Sequence, residues 1–158
     1  WCPKQFENQL NVFCHYETTA PEIFKQAAEL DLVVSAFVHG AGTGGTMMGV
    51  KQYIDYNDLD VDTVLTTPSE SAETHGIQGI NDGADFLLNR NLMDHVIAVR
   101  TNDAIHRMKG YAKDSGLLVG ISSGANLIAA QTYVDTFKPG GIVITMLCDR
   151  GERYLSCL

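Results

Sequence analysis

The segment VVSAFVHGAGTGGTMMGV, Val33 to Val50, constrains this chain more than any other. In it an apolar, β-branched run passes into four glycines within six residues, and then into Met and Val at helical spacing. A continuous apolar run of this length reads as a buried strand, and the glycine and threonine cluster as a tight turn that opens a helix. The first amides of a helix have no intrahelical acceptor and carry the positive end of its dipole, so the turn suits a phosphate or a carboxylate. Glycines that serve only to make the turn are the competing explanation.

The same strand-then-helix alternation recurs along the chain. Trp1 to Tyr16 has no clear period and reads as loop with a short helix. Thr19-Ala20-Pro21-Glu22 has the pattern of a capping box, with Thr19 as N-cap and Pro21 in the first turn, and predicts an amphipathic helix through IFKQAAEL. Leu32 to Val38 is a strand, and Gly44 to about Asp55 the helix behind the glycine loop. VDTVLTT and HVIAVR are further strands, separated by the polar, glycine-punctuated loop SESAETHGIQGINDGADF. Thr101-Asn102-Asp103 caps a helix to about Asp114, Ser122 and Ser123 precede a helix over ANLIAAQTYVDTF, and GIVITML is a last buried strand. The expected fold class is α/β, an open, mostly parallel sheet with helices on both faces. Ligands of such folds sit at the carboxyl ends of strands, where both the glycine loop and the Ser-Ser-Gly turn fall.

Charge narrows the partners. With 19 acidic and 11 basic residues the net charge is -8, and no run of Lys or Arg appears, so no nucleic acid is expected as a partner. A bound anion must be held locally by amides and hydroxyls. Cys2, Cys14, Cys148 and Cys157 form neither a metal-ligand spacing nor a disulfide framework, and the five histidines form no metal spacing. No metal is therefore expected, and the compartment is read as reducing and cytoplasmic. No apolar run is long enough for a bilayer, so no membrane association is expected. At 158 residues and 45% hydrophobic content the chain suits one domain or part of one. Its opening at Trp1 in a polar loop leads us to expect a fragment whose upstream half is absent.

Gly40, Gly42 and Gly45 satisfy GxGxxG, which raises a nucleotide-binding, Rossmann-like domain as an alternative. The following strand should end near an acid that grips ribose, but it ends in threonines, and Glu70 lies beyond Pro68, which leaves its position open. Thr43 and Thr46 add hydroxyls suited to a compact phosphomonoester. Ser122 reads as a helix cap or as a neutral hydroxyl at a second ligand corner. The two corners together suit a flat cofactor with a phosphate at one end and a ring nitrogen elsewhere. His39, next to the glycine loop, is read as a loop-packing residue, with contact to the cofactor or substrate as the alternative, Met47 and Met48 as core, and Asp149, Arg150, Glu152 and Arg153 as a solvated end or an intersubunit patch.

GAGTGGT, HGIQGI, GISSGA and DRGERYLS, in that order, resemble the cysteine synthase and cystathionine β-synthase family of pyridoxal-phosphate enzymes of fold type II. QFENQLNVFCHYETTAPEI resembles the segment with which that family enters its carboxyl-terminal half, so residues 1–158 are expected to be that carboxyl-terminal portion, with a tryptophan synthase β-like fold. The resemblance implies pyridoxal 5'-phosphate as cofactor, with Gly42, Thr43, Gly44, Gly45 and Thr46 at its phosphate and Ser122 at its pyridine nitrogen. It implies Gln5 near the substrate carboxylate, and Gly79, in the Gly76 to Gly79 loop, allowing close backbone approach at the cleft. The Schiff-base lysine of the family lies upstream of the glycine loop, in a part this sequence does not contain. The full-length protein is expected to be a homodimer acting on a small amino-acid substrate.

A serine facing the ring nitrogen does not stabilise a protonated ring as a carboxylate would, so the cofactor is a moderate electron sink. Loss of a β-leaving group demands less of the ring than transamination does. The expected reaction is β-replacement on O-acetylserine, serine or cysteine. An inactive fragment that serves as a binding module is the third alternative.

Overall fold

The computed structural model describes residues 1–71, 74–77, 79–80 and 84–157. Four strands, β1 (Val34–Gly40), β2 (Asp62–Pro68), β3 (His95–Val99) and β4 (Ile142–Thr145), form one sheet in the order β3-β2-β1-β4, with every pairing parallel. Side-chain alternation along β1 divides the core. Ala36 and Val38 pack with Val64 against Met108, Ala125, Ala129 and Tyr133, on the side of α4 (Thr101–Ser115) and α5 (Ile121–Phe137). Phe37 and Leu65 pack on the opposite face with Met47, Val50 and Ile54 of α3 (Gly45–Tyr56). Both faces of the central strands are covered, which is why β1 reads as a continuous apolar run and not as an alternating one. Among the described residues no helix is long and apolar enough to cross a membrane.

The largest departure from expectation lies near the amino terminus. α1 (Leu10–Cys14) runs through a π-helical turn, His15–Thr19, straight into α2 (Ala20–Glu29). Thr19 has helical dihedrals, φ -63° and ψ -46°, and makes no capping bond, while Glu22 accepts from Gln26 Nε2 at 3.2 Å. The capping-box signature therefore lies inside a longer helix. Pro21 has no N–H to continue an α-helical ladder and its ring crowds the carbonyl four residues back; the wider π turn just before it relieves both constraints. Packing of α1 and the π turn against α3 keeps the segment helical.

The start of α4 is also capped from elsewhere. The Thr101 side chain does not cap it; instead the Thr101 N–H donates to Glu70 Oε1 at 2.7 Å, and Thr101 Oγ1 accepts from the Gly76 N–H at 2.9 Å. Burial pushes the Glu70 carboxyl up, but hydrogen bonds from Thr101 and Ser69 outweigh it and hold the group below its ordinary value. Glu70→Ala is expected to destabilise the fold by about 1 kcal/mol, as loss of a helix cap does. Because the Glu70 pKa is depressed on folding, its contribution is present above the unfolded carboxyl pKa and is lost as pH falls through the folded one. Urea unfolding of wild type and variant should therefore differ at neutral pH and converge in acid.

α5 begins one residue before Ser122, so Ser122 and Ser123 lie buried in its first turn. The chain after β4 folds back on this turn. The Gly120 N–H donates to Asp149 O at 2.9 Å and the Gly151 N–H to Leu118 O at 3.0 Å, with Val119 and Arg150 forming an antiparallel bridge.

Candidate active site

β1 delivers His39 and Gly40 to its carboxyl end, and residues 41–44 then turn into α3. Gly44 has φ +88°, and a Cβ there would lie 2.5 Å from the Leu88 backbone nitrogen. A Cβ on Gly42 would lie 2.8 Å from Gly79 O. The loop thus runs directly beneath two other backbone segments, which only glycine permits at these positions. Thr43 is tied down on every side: its O accepts from the Leu87 N–H at 3.0 Å, and its Oγ1 accepts from Asn11 Nδ2 at 3.1 Å and the Gly45 N–H at 3.2 Å. The Met48 N–H donates to Gly44 O at 3.0 Å. Of the first-turn amides of α3, those of Thr46 and Met47 have no partner among the described residues and remain for a ligand.

The π turn supplies a second wall. His15 Nε2 lies 3.2 Å from Thr46 Oγ1, and His15 Nδ1 lies 2.8 Å from Thr19 Oγ1. Burial pushes the His15 pKa down, so the imidazole is neutral at neutral pH and one ring nitrogen donates while the other accepts. In the tautomer protonated at Nε2, Thr19 donates to Nδ1, Nε2–H donates to Thr46 Oγ1, and the Thr46 hydroxyl hydrogen is free for an anion. An anion at the loop selects that tautomer.

The third wall joins β1, α5 and the segment after β4. Asn126 is fully buried; its Oδ1 accepts from the Gly40 N–H at 2.9 Å and its Nδ2 donates to Met146 O at 3.2 Å. With Oδ1 so fixed, Nδ2 faces His39 Nδ1 at 3.4 Å as a donor, so His39 is protonated at Nε2. Burial, and then His15, pushes the His39 pKa down to about 4. Cys148 and Asp149 complete this wall; Asp149 Oδ2 accepts from Tyr154 Oη at 2.5 Å, which together with burial pushes Tyr154 up to about 12. The three walls enclose a cleft of about 400 Å³ at the carboxyl edge of the sheet, lined by both the glycine loop and Ser122.

Residues 1–149 match the family model described as "Pyridoxal-phosphate dependent enzyme". The chain belongs to that family. Cysteine synthase B of Campylobacter jejuni is 44% identical over 162 residues, covering 96% of this chain and 52% of the relative. Two solved structures align with it: a hydrogen sulfide-producing enzyme of Fusobacterium nucleatum, at TM-score 0.91 and 33% identity, covering 99% of this chain and 49% of that one; and an O-acetylserine dependent cystathionine β-synthase of Helicobacter pylori, at TM-score 0.86 and 33% identity, covering 98% and 52%. The chain thus spans about half the length of the relatives it matches. Both the family resemblance and the α/β fold read from the sequence are borne out, and pyridoxal phosphate is the family's cofactor.

Within this pyridoxal-phosphate family chain, Gly42, Thr43, Gly44, Thr46, Gly79 and Ser122 all line the one cleft. Gly45 does not, its N–H being bonded to Thr43, and neither does Gln5, which is exposed on a loop whose carbonyl accepts from Asn11 Nδ2 at 2.9 Å. Because Asn11 Nδ2 also reaches Thr43, the Gln5 loop is linked to the glycine loop through one side chain. Gln78, in the expected cleft loop, lies outside the described residues. Glu70, beyond the end of β2, caps α4, so it does not stand where a dinucleotide fold presents its ribose-binding acid. Sequence reasoning passed over His15, Asn126 and Asp149 as site residues. Asp149, read from the sequence as part of a solvated end or an intersubunit patch, instead lines the cleft, and its Oδ1 is buried with no partner among the described residues.

Proposed function

We propose that residues 1–158 are the part of a β-replacement enzyme that holds the phosphate and the ring nitrogen of pyridoxal phosphate, and that the whole protein converts O-acetylserine or a related small amino acid to cysteine or a related product. The observation that carries this reading is the polarity of the cleft. Amide and hydroxyl donors stand at the glycine loop, the Ser122 hydroxyl lines the same cleft beside Gly79, and the two lining histidines are neutral. That donor set fits a phosphate at the glycine loop and a pyridine nitrogen at Ser122. The cofactor, when bound, supplies the electron sink that loosens bonds at the amino acid's α and β carbons. Thr46 and the first amides of α3 hold the phosphate, with His15 orienting the Thr46 hydroxyl. Ser122 meets the ring nitrogen with a neutral hydroxyl and Gly79 admits the ligand close to backbone; Gln5, outside the cleft in this structure, is the proposed group for the substrate carboxylate, on the loop that Asn11 ties to Thr43.

Among the described residues no lysine lines the cleft, and Lys51, the nearest in sequence to the glycine loop, pairs with Asp55. We place the Schiff-base lysine in a segment outside residues 1–158, and take the whole protein to be a cytoplasmic homodimer. The O-acetylserine dependence of the Helicobacter pylori relative supports the choice of substrate.

The test is to supply the full-length protein with pyridoxal phosphate, O-acetylserine and sulfide and to measure cysteine. Cysteine formation is expected; a protein that forms none and binds NAD in preference to pyridoxal phosphate overturns the reading. Thr46→Ala removes one charge-assisted hydrogen bond, so cofactor affinity should fall by about 1.5–3 kcal/mol, roughly 10- to 150-fold. Fluorescence titration of the cofactor checks this, and unchanged affinity would remove Thr46 from the phosphate site.

A further inference from the structure

His39 stands in the cleft without a role in the reaction proposed above, and only one of its two ring nitrogens is occupied. β1 carries it to the carboxyl end of the strand, directly before the glycine loop, where it is 9% exposed and its ring lies 5.9 Å from that of Phe37. The Gly40 N–H donates to Asn126 Oδ1 at 2.9 Å, so Asn126 turns its Nδ2 hydrogens toward Met146 O at 3.2 Å and His39 Nδ1 at 3.4 Å. Cys148 Sγ, 4.0 Å away, also faces Nδ1. The ring hydrogen is therefore on Nε2. Nε2 has no partner among the described residues, nor is it sealed off: the buried side-chain atoms without a partner among them are Thr66 Oγ1, His75 Nδ1 and Asp149 Oδ1. The open space beside the ring is the cleft, so an N–H anchored from behind by Asn126 is presented to whatever the cleft binds.

Resting on the reading that the cleft takes an anionic ligand, we infer that His39 is a binding residue whose Nε2–H donates to an anionic oxygen of that ligand, and that Asn126 is the positioning residue that keeps the hydrogen on Nε2. The composition of the cleft favours an anion as the acceptor. Among the described residues no lysine or arginine lines it, so an oxygen at the glycine loop is met by neutral donors: the Thr46 hydroxyl, the free amides of Thr46 and Met47, and this imidazole. A hydrogen bond to a charged acceptor is about twice as strong as one between neutral groups, so His39 contributes most toward such an oxygen. Burial, and then His15, pushes the His39 pKa down to about 4, so at neutral pH the ring neither takes up a proton nor acts as a base, and it remains a donor of fixed direction. Two sources share this chemistry, the phosphate of the cofactor and the carboxylate of an amino-acid substrate, and separate ligands distinguish them.

The experiment uses the full-length protein labelled with ¹⁵N-histidine and freed of cofactor. The His39 ring, identified by the signals lost in His39→Phe, should show a protonated Nε2 and a bare Nδ1 before any ligand is added. In Asn126→Leu, read in the folded protein, the fraction protonated at Nε2 should fall; an unchanged ring spectrum there overturns the positioning role. Inorganic phosphate, and separately pyridoxal phosphate, should move the Nε2–H proton downfield. His39→Phe should weaken both ligands roughly 10- to 150-fold, whereas His39→Gln, which can hold an N–H where Nε2 stood, should recover most of the affinity. If the signal moves only when O-acetylserine is added to the loaded enzyme, and His39→Phe raises KM for it with kcat unchanged, the acceptor is the substrate carboxylate. A proton that moves with none of the three ligands, or a His39→Phe protein with unchanged affinities and unchanged KM, overturns the inference. Wild type that binds inorganic phosphate through His39 but does not bind pyridoxal phosphate would sink the cofactor reading and leave the His39 contact standing. Affinity and KM lost in Thr46→Ala but not in His39→Phe would do the reverse.

Discussion

Gly44→Val is expected to destabilise the fold by about 2–5 kcal/mol and to abolish cofactor binding in whatever fraction remains folded. A left-handed backbone costs an L residue about 1–2 kcal/mol, and overpacking a filled site about 1–3 kcal/mol. Both apply here, because Gly44 combines φ +88° with a Cβ position 2.5 Å from the Leu88 nitrogen. The obstacle is backbone, so no rotamer change relieves it. The neighbouring Leu87 N–H donates to Thr43 O at 3.0 Å, so pushing this segment away also loosens the threonine in the loop. Gly116→Val is the control. Gly116 has φ +76° but nothing within 4 Å of its Cβ position, so it should show the backbone cost of about 1–2 kcal/mol and normal cofactor affinity. Urea unfolding and cofactor titration of the two variants separate the contributions; equal stability losses would show that the close approach to Leu88 does not matter.

Asn126→Leu should cost a comparable amount for a different reason. The substitution fills the volume but strands the Gly40 N–H and removes a donor from Met146 O. Each buried polar group left without its partner costs about 1–3 kcal/mol, so roughly 2–6 kcal/mol is expected. Asn126→Asp preserves the acceptor for Gly40 and loses the donor, placing carboxylate oxygen against the Met146 carbonyl. Its buried carboxyl should have a raised pKa, so its stability relative to wild type should improve as pH falls, opposite to the behaviour expected of Glu70. Chemical denaturation across pH checks both signs, and a pH-independent deficit in Asn126→Asp would mean the side chain turns out to solvent.

These two positions differ in how visible they were beforehand. Gly44 sits in a cluster whose meaning is local: four glycines after an apolar run specify a turn whatever the rest of the chain does. Asn126 looked like one more polar residue in a helix, and its neighbours carry no mark of the partner 86 residues away at Gly40. The pairing of His15 with Thr46 spans 31 residues and was equally hidden. The only local hint of it was Pro21 a few residues on from His15, which makes a helix defect there favourable.

Alone, the sequence determined the alternation of strand and helix, the parallel sheet, the family and the two strand-to-helix corners that line one cleft. Apolar periodicity and the backbone freedom of glycine are properties of adjacent residues, and their order along the chain carries the resemblance. The tertiary structure decided where each polar group finds its partner. Packing on α3 kept residues 10–29 helical through a sequence that reads as a helix start, and Glu70 took the capping role that Thr101 was expected to fill. The segment after β4, folded back on α5, brought Asp149 from an apparent surface end into the cleft, and Cys148 with it. A buried donor or acceptor must be satisfied by whatever the fold places within about 3 Å of it, and no local pattern records which distant residue that will be.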